Sequence, residues 1–304
     1  MARLSYDRET GLCAFETEEL TGVIRPGHEK PHHGLTGLRH RRTGVEFVHP
    51  KYSIMNVYRF LAVDPGDPRR LGRELGAART EPHQVEVDGT SVRLRWPPNE
   101  QRRLDTTFTY TVEEPNAVDM RLEVRAEGAY DAFEVFLAGY FEPGLKPHVY
   151  LRRGNFELKD RPGKYADEPE LVPVAMNDVF RGGILVYPRD EPSARIQVDG
   201  RWDGIARFSP VRHYHAPVCL EVDPDRRVAS VFMGLPDEVF SISTGYDSPD
   251  LEDRFKYHNP QYLSFFGDGV APGDVRTARA RLVVTELDDG MARPLELYRA
   301  FAGA

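Results

Sequence analysis

The chain lacks several features that would assign it to a well-known class of protein. Only two cysteines, Cys13 and Cys219, occur among 304 residues, which is too few for a disulfide framework and lacks the spacing of a zinc knuckle. We predict that both are buried free thiols. No P-loop, glycine-rich dinucleotide motif, G-x-S-x-G elbow or H-E-x-x-H helix is present, which argues against nucleotide-driven and serine-hydrolase chemistry.

Long apolar runs and basic stripes are missing as well. No segment approaches the roughly 20 apolar residues of a membrane span, and the N-terminus has no apolar run of signal-peptide length. The formal net charge is −8, which disfavours a protein that wraps nucleic acid. We therefore expect a cytoplasmic protein without a nucleic-acid or membrane partner, and the choice between monomer and homodimer stays open.

Helical periodicity is scarce, and strand patterns dominate the chain. Helix is indicated only by a possible turn at Pro68–Gly76 and by the terminal segment Pro294–Phe301. Short apolar–polar alternations, separated by Asp-Gly, Pro-Asn and Glu-Gly turns, predict an all-β sandwich or barrel. The predicted strands are Gln84–Val87, Ser91–Trp96, Asp105–Val112, Ala117–Ala126, Ala132–Phe141, Gly183–Tyr187, Cys219–Val222, Ser230–Met233 and Phe240–Thr244.

Two of these predicted strands have different residue patterns, which indicate different surroundings in the folded protein. Ala117–Ala126 alternates four apolar with four charged residues, which indicates a sheet with one wet face. Phe133–Phe141 is apolar on both faces except for Glu134, so this strand should run through the middle of the protein, and Glu134 should need a buried partner. Leu145–Asn177 is rich in Pro, Gly and charge and is predicted to form long excursions.

Three stretches carry a resemblance to a known family. Gly34–Gly44 looks like an early strand that leads to a Thr-Gly turn, Tyr110–Val124 looks like a strand pair before a central sheet, and Ala271–Asp274 is a Pro-Gly turn followed by a strand. Together they resemble the galactose-mutarotase-like group. The resemblance implies one domain over residues 1–304 that forms a large antiparallel β-supersandwich with very little helix and handles sugars.

The resemblance also implies a class of chemistry. Sugar mutarotases of this group use a carboxylate and a histidine on opposite sides of the sugar ring as general base and general acid. The family's asparagine-histidine and glutamate-glutamine-histidine segments are absent from this chain, so candidate residues have to come from local patterns. We predict a carbohydrate-active enzyme, either an epimerase or a carbon–oxygen lyase. The alternatives are a non-catalytic sugar-binding module and a purely structural domain.

His213-Tyr-His215 is the sharpest local pattern. Alternate residues of an extended strand share a face, which presents two imidazoles about 7 Å apart at their roots. With Glu142, at the end of the apolar central strand, these histidines are the predicted catalytic residues. The same pair with His33, from a histidine-rich loop, is the predicted ligand set if a divalent metal is present. A plain structural role for the histidines is the remaining interpretation.

Sugar binding needs aromatic faces and charged or amide groups for the hydroxyls. Arginines that converge on one site would favour an anionic ligand such as a uronate or a sugar phosphate. The predicted substrate-binding residues are Arg39, His40, Tyr58, Arg59, His148, Tyr214, Trp202 and Asp247.

Overall fold

The computed structural model describes residues 2–154, 165–174, 184–197, 199–201, 206–208, 212–246 and 259–303. The strands are β1 Leu4–Asp7, β2 Leu12–Glu16, β3 Leu20–Arg25, β4 Gly34–His40, β5 Asn56–Val63, β6 Arg73–Gly76, β7 Gln84–Val87, β8 Ser91–Trp96, β9 Leu104–Glu113, β10 Ala117–Ala126, β11 Asp131–Tyr140, β12 Lys146–Gly154, β13 Tyr165–Pro173, β14 Ile184–Pro188, β15 Ala206–Phe208, β16 Tyr214–Asp223, β17 Val228–Gly234, β18 Val239–Thr244, β19 Pro260–Phe266 and β20 Val275–Glu286. The helices are α1 Glu191–Gln197 and α2 Arg293–Ala302, and a 3₁₀ turn spans Ala78–Thr80.

Over the described residues the strands form three sheets. The smallest has the order β1-β2-β3-β4. A nine-stranded sheet has the order β13-β12-β16-β17-β20-β10-β9-β8-β7, and a seven-stranded sheet has the order β15-β14-β18-β19-β11-β5-β6. Strand pairing is antiparallel except between β14 and β15. The prediction of an all-β sandwich with large antiparallel sheets and little helix is confirmed.

The two large sheets pack face to face over a common core. Phe60 of β5 contacts the ring of Trp96 of β8 with ring centroids 6.4 Å apart, and both side chains are fully buried. Elsewhere in the core between the two sheets, Phe265 of β19 lies against Gly234 of β17. Side chains alternate across each strand, so the neighbours of Phe60 and Phe265 in sequence face outward from the seven-stranded sheet.

Most of the predicted strands occur within one or two residues of the observed bounds. β10 buries its apolar residues and turns its charged residues outward, and β11 lies in the middle of the seven-stranded sheet, as predicted. The terminal helix is confirmed as α2. The helical interpretation of Pro68–Gly76 is wrong, because its last residues pair with β5 as strand β6. Leu145–Asn177 contains β12 and β13 rather than long excursions alone.

Gly34 shows one backbone requirement of this architecture. Its φ is +108°, a region that side-chain-bearing residues rarely adopt, and a Cβ there would collide with the carbonyl oxygen of Ile54. The close approach lets Leu35 and Ile54 exchange backbone hydrogen bonds of 2.8 Å. This contact ties the small sheet to the segment that enters β5.

Two smaller predictions concern cysteines and membrane helices. Cys13 and Cys219 are both buried free thiols, as predicted. Among the residues that the structure describes, no helix is long and apolar enough to cross a membrane.

Candidate active site on the polar face of the seven-stranded sheet

The outward face of the seven-stranded sheet is unusually polar for a largely buried surface. β19 alternates Tyr262 and Ser264 with the core residues Leu263 and Phe265, and β18 places serines beside them in register. Side chains on this face are Arg59, Glu134, Phe136, Tyr140, Ser241, Ser243, Tyr262 and Ser264, which we call the polar face. Buried polar side chains need partners, so a polar sheet face of this size marks a candidate site.

A cluster of three tyrosines and two arginines lies at the end of the polar face that Tyr140 marks. The guanidinium carbon of Arg79, from the 3₁₀ turn, is 3.7 Å from the centroid of the Tyr58 ring, and that of Arg59 is 4.6 Å from it. Arg79 also donates a hydrogen bond of 3.3 Å to the hydroxyl of Tyr140. We call Tyr58, Arg59, Arg79, Tyr140 and Tyr262 the tyrosine–arginine cluster.

Tyr140 has the most informative electrostatics of this cluster. Its oxygen accepts a hydrogen bond from Arg79, and its hydroxyl is also hydrogen-bonded to that of Tyr262. Both bonds, and the charge of Arg79, favour the phenolate, but burial outweighs them and raises the pKa of Tyr140 above its ordinary value. Burial also raises the pKa of Tyr262 well above its ordinary value. Tyr140 is therefore a protonated phenol at neutral pH, with a cation beside its oxygen.

Local backbone geometry brings Tyr58 to the same face as Arg59. The pairing of β5 with β11 shifts register between Phe136 and Leu137, opposite Arg59 and Val57, which leaves Tyr58 in the irregular step. The rings of Tyr58 and Phe136 are then in contact at a centroid distance of 5.8 Å. Bulges of this kind re-aim side chains without breaking the sheet.

Arg59 brings a carboxylate to the cluster. Its Nε lies 3.4 Å from a carboxylate oxygen of Glu74 on the neighbouring strand β6, and its Nη2 donates to the hydroxyl of Tyr58 at 3.1 Å. The Glu74 side chain keeps 37% of its surface exposed. Glu74 is thus a carboxylate held in place by a cation, with part of its surface free to contact a ligand.

A fully buried ion pair closes one end of the polar face. Glu134 accepts a hydrogen bond of 2.7 Å from Arg201, and both side chains have zero exposure. Arg201 also bonds Asp199 through two nitrogens and the carbonyl oxygen of Ala132. Burial raises the pKa of Glu134, and the charge of Arg201 opposes that shift. The expectation that Glu134 needs a buried partner is confirmed.

Serine side chains extend the polar face away from the cluster. Gln197, at the end of α1, donates to the hydroxyl of Ser241 at 2.6 Å, so α1 covers this end of the face. The buried hydroxyl of Ser243, opposite Tyr262, has no hydrogen-bond partner among the described residues. An orphaned hydroxyl beside Tyr262 is suited to bind a polar ligand atom.

Two of the predicted substrate-binding residues lie in the cluster, and other members were not predicted. Tyr58 and Arg59 were named from the sequence, although their binding role stays a prediction. Arg79, Tyr140 and Glu74 were missed. The sequence does hold a signal for Tyr140, which is the last residue of the apolar strand β11 and alternates in phase with Glu134 and Phe136.

The histidine pair lies elsewhere. Tyr214, between the two histidines, is buried in the core and donates a hydrogen bond to the carbonyl oxygen of Val239. β16 therefore packs on the core side of β18, whereas the polar face is on the opposite side. His213 is buried at the start of β16, and burial together with the nearby Arg152 lowers its pKa.

Glu142 and His148 are far from the histidine pair. Glu142 lines a surface depression with Lys146 and Asp223, at the far end of β16 from Tyr214. Tyr214 and Val222 are eight residue steps apart along the strand, which is a distance of about 26 Å. His148 binds the carbonyl oxygen of Lys146 and lines a separate depression with Asp288. The predicted catalytic trio of His213, His215 and Glu142 is not brought together.

The predicted metal set is not assembled either. His33 is fully buried, its Nε2 accepts a hydrogen bond of 2.8 Å from the Val57 backbone, and its ring contacts Trp96 on β8. His215 lies in β16 and His213 directly precedes it, and β16 is five strand steps of about 4.8 Å away from β8 in the nine-stranded sheet. Within the described parts of the chain, no three His, Cys, Asp or Glu side chains are grouped to hold a metal ion.

The remaining predicted residues also lie away from the cluster. Arg39 is exposed on the small sheet, and His40 is buried beside it with its Nδ1 2.9 Å from the Thr43 hydroxyl. Burial lowers the pKa of His40. Trp202 and Asp247 lie outside the described residues.

Among the solved structures that match this chain, two illustrate the similarity. One is a protein of Escherichia coli K12 whose assignment as an aldose 1-epimerase is itself provisional, with 9% identity over 91% of this chain and 99% of that chain and a TM-score of 0.58. The other is a GalM/aldose epimerase homologue from C. elegans, with 10% identity over 90% of this chain and 98% of that chain and a TM-score of 0.51. The fold is that of the galactose-mutarotase-like proteins.

These likenesses establish the galactose-mutarotase-like fold and nothing finer, because the identities are near 10%. No family model matches the chain. No curated protein matches it at a significant level. The β-supersandwich implied by the strand and turn motifs is thus confirmed, whereas the choice of active residues has to come from the geometry of this chain.

Proposed function

We propose that the protein is a carbohydrate-active enzyme that moves protons to and from a sugar bound on the polar face, as a sugar epimerase. The observation that carries this proposal is the Tyr140 hydroxyl, which accepts a hydrogen bond from Arg79 and is hydrogen-bonded to Tyr262. Solved proteins with the same fold are described as aldose epimerases, which gives the substrate class by analogy.

Three members of the tyrosine–arginine cluster, with Glu74 and Phe136 beside it, have roles in this proposal. Tyr140, a protonated phenol, donates its proton to the ring oxygen of the sugar as general acid. Glu74 removes the proton of the anomeric hydroxyl as general base. Arg79 stabilises the negative charge that develops on Tyr140, in a site from which water is largely excluded. The rings of Tyr58 and Phe136 pack against the C–H face of the sugar.

A carbon–oxygen lyase is the second candidate, and one observation favours it. Two guanidiniums, those of Arg59 and Arg79, flank the ring of Tyr58 at 4.6 and 3.7 Å. Together they would neutralise the carboxylate of a uronate and so acidify the adjacent C–H bond. Glu74 would then remove the carbon-bound proton, and Tyr140 would protonate the leaving oxygen.

The test compares two assays on the purified protein. Anomer exchange of common aldoses is followed by NMR, and unsaturated product from uronides is followed by ultraviolet absorbance. We expect faster exchange for at least one aldose, and a loss on the order of 100-fold in kcat for Glu74→Gln with folding retained. Glu16→Gln is the matched control, because Glu16 is also paired with an arginine, Arg41, but on the surface of the small sheet.

Each other outcome has a definite meaning. Unsaturated product without anomer exchange would replace the epimerase by the lyase. Sugar binding without turnover in either assay would replace the enzyme by a sugar-binding module. A Glu74→Gln variant as active as the parent would remove Glu74 from the mechanism.

A further inference from the structure

The outward face of the nine-stranded sheet carries a second set of charged side chains that the proposed function does not use. Two adjoining depressions, of about 480 and 650 Å³, share Arg93, Thr107 and Glu123 and so form one continuous groove. The charged side chains that line it are six arginines and four carboxylates: Arg93, Arg95, Arg121, Arg125, Arg279, Arg281, Glu86, Asp105, Asp119 and Glu123. The groove is therefore cationic by two charges in a chain whose net charge is −8.

Ion pairs account for most of these charges. Arg95 binds Asp105 at 2.6 Å, Arg281 binds Asp119 at 2.5 Å, and Arg125 binds Glu123 at 2.8 Å. The fourth carboxylate, that of Glu86, lies 3.9 Å from Arg93.

Two arginines are left over once these pairs are formed. Among the residues that the structure describes, no carboxylate lies within 4.0 Å of the guanidinium of Arg121 or Arg279. The carboxylate of Glu238 accepts the Arg279 backbone N–H at 2.7 Å and interacts with the charge of Arg279, but the two side chains form no ion pair within 4.0 Å. Both arginines are exposed, so their side chains can reach a ligand.

Strand register places the unpaired arginines side by side. Arg93, Thr109, Arg121 and Arg279 stand directly opposite one another across β8, β9, β10 and β20, and we call them the arginine row. The row spans three strand steps, or about 14 Å. Arg121 and Arg279 are direct cross-strand neighbours, and like charges in that position destabilise a sheet.

The C-terminal helix forms one wall of the groove. Its Phe301 ring lies 5.4 Å from the guanidinium carbon of Arg279 and 5.1 Å from that of Arg281. These cation–π contacts hold Arg279 at the groove instead of letting it move away from Arg121. The sheet and the helix together keep an electrostatically unfavourable arrangement in place.

We propose that this groove binds an acidic oligosaccharide, whose carboxylate or sulfate groups are held by the arginine row. Planar guanidiniums match such oxyanions with paired hydrogen bonds. The hydroxyls of Thr107, Thr109 and Thr111 line the same groove and suit sugar hydroxyls. Among the described residues that line the groove, Phe301 is the only aromatic one, and it already contacts two arginines, so these residues offer no stacking platform for nucleic-acid bases. The proposal is independent of the chemistry on the polar face.

The test compares polymers that differ in charge or in backbone. We expect the full chain to bind dextran sulfate and oligogalacturonate by calorimetry, with affinity that falls as salt rises, and not to bind neutral dextran. The double variant Arg121→Gln/Arg279→Gln should lose at least about tenfold in affinity. Arg226→Gln is the matched control, because Arg226 is an exposed arginine that pairs with Asp223 outside the groove.

Thermal unfolding provides the check on folding. The double variant should unfold at the same temperature as the parent or higher, since it removes a repulsive pair, and dextran sulfate should raise the unfolding temperature of the parent alone. Unchanged affinity in the double variant would overturn the proposal, as would binding of polyuridylate as tight as that of dextran sulfate. A parent that turns over no sugar yet binds dextran sulfate through the row would refute the proposed function and leave this inference standing.

Discussion

The outward faces of the two large sheets carry charge in opposite ways. On the seven-stranded sheet, Glu134 and Arg201 are paired with no exposed surface at all. On the nine-stranded sheet, Arg95 and Asp105 form an equally short pair of 2.6 Å, but their side chains remain 45% and 20% exposed. An arginine–carboxylate ion pair thus occurs once in the interior of the protein and once in contact with water.

The difference teaches which face is suited to catalysis. An exposed pair contributes about 0–1 kcal/mol, whereas burying ions costs several kcal/mol each before their attraction is counted. A chain that buries such groups gains fixed dipoles and charges that need no reorganisation during a reaction. Exposed arginines with adjustable side chains, as in the arginine row, suit reversible binding of a large charged ligand instead.

The largest expected effect comes from breaking the buried pair. Arg201→Met would leave the Glu134 carboxylate buried without its cation, and we expect the free energy of unfolding to fall by about 3–5 kcal/mol. Urea unfolding at neutral pH measures this. Arg95→Met, which breaks the exposed pair, should change the same quantity far less, because exposed ion pairs contribute little to stability. Similar losses in the two variants would contradict the contrast between the faces.

A smaller effect concerns the pH dependence of activity. Tyr140 must be protonated to act as an acid, and burial raises its pKa above the ordinary value of 10.0, so the alkaline fall in kcat/KM should lie above about pH 10. Arg79 lowers that pKa, so Arg79→Gln should move the fall to higher pH. Rate profiles from pH 8 to 11 measure it, with Arg125→Gln as control. A downward shift would exclude Tyr140 as the acid.

The smallest expected effect lies in the arginine row. Arg121→Gln removes one member of a like-charged cross-strand pair and should raise the free energy of unfolding by about 0.3 kcal/mol at low salt, with less gain at high salt. Arg125→Gln loses its pair with Glu123 and should not show this gain. If both variants are destabilised equally, the repulsion between Arg121 and Arg279 does not exist in solution.

The strands could be predicted from the sequence better than the site. Period-two alternation is a local signal, and it located β7, β8 and β10 at their observed bounds. The polar face depends on pairing between strands that are distant in sequence and on the irregular step at Tyr58, neither of which a local pattern contains. Glu142 was chosen as the residue at the end of the central strand, but the polar face ends two residues earlier, at Tyr140.

Several other expectations stay predictions. They are a single domain over residues 1–304, a cytoplasmic location, the choice between monomer and homodimer, and the lack of nucleic-acid and membrane partners. The roles of His213 and His215 also stay predictions, because alternation in a strand does not reveal which side of a sheet is the core. The buried Tyr214 packs against Val239 there, which fixes β16 on the core side.

The most direct test of the central claim compares Tyr140→Phe with His213→Ala/His215→Ala in the assay that detects turnover by the parent protein. If the polar face is the active site, Tyr140→Phe should lose at least about 100-fold in kcat, and the histidine variant should stay within about threefold of the parent. Full activity in Tyr140→Phe together with loss in the folded histidine variant would contradict the account and return the active site to the start of β16.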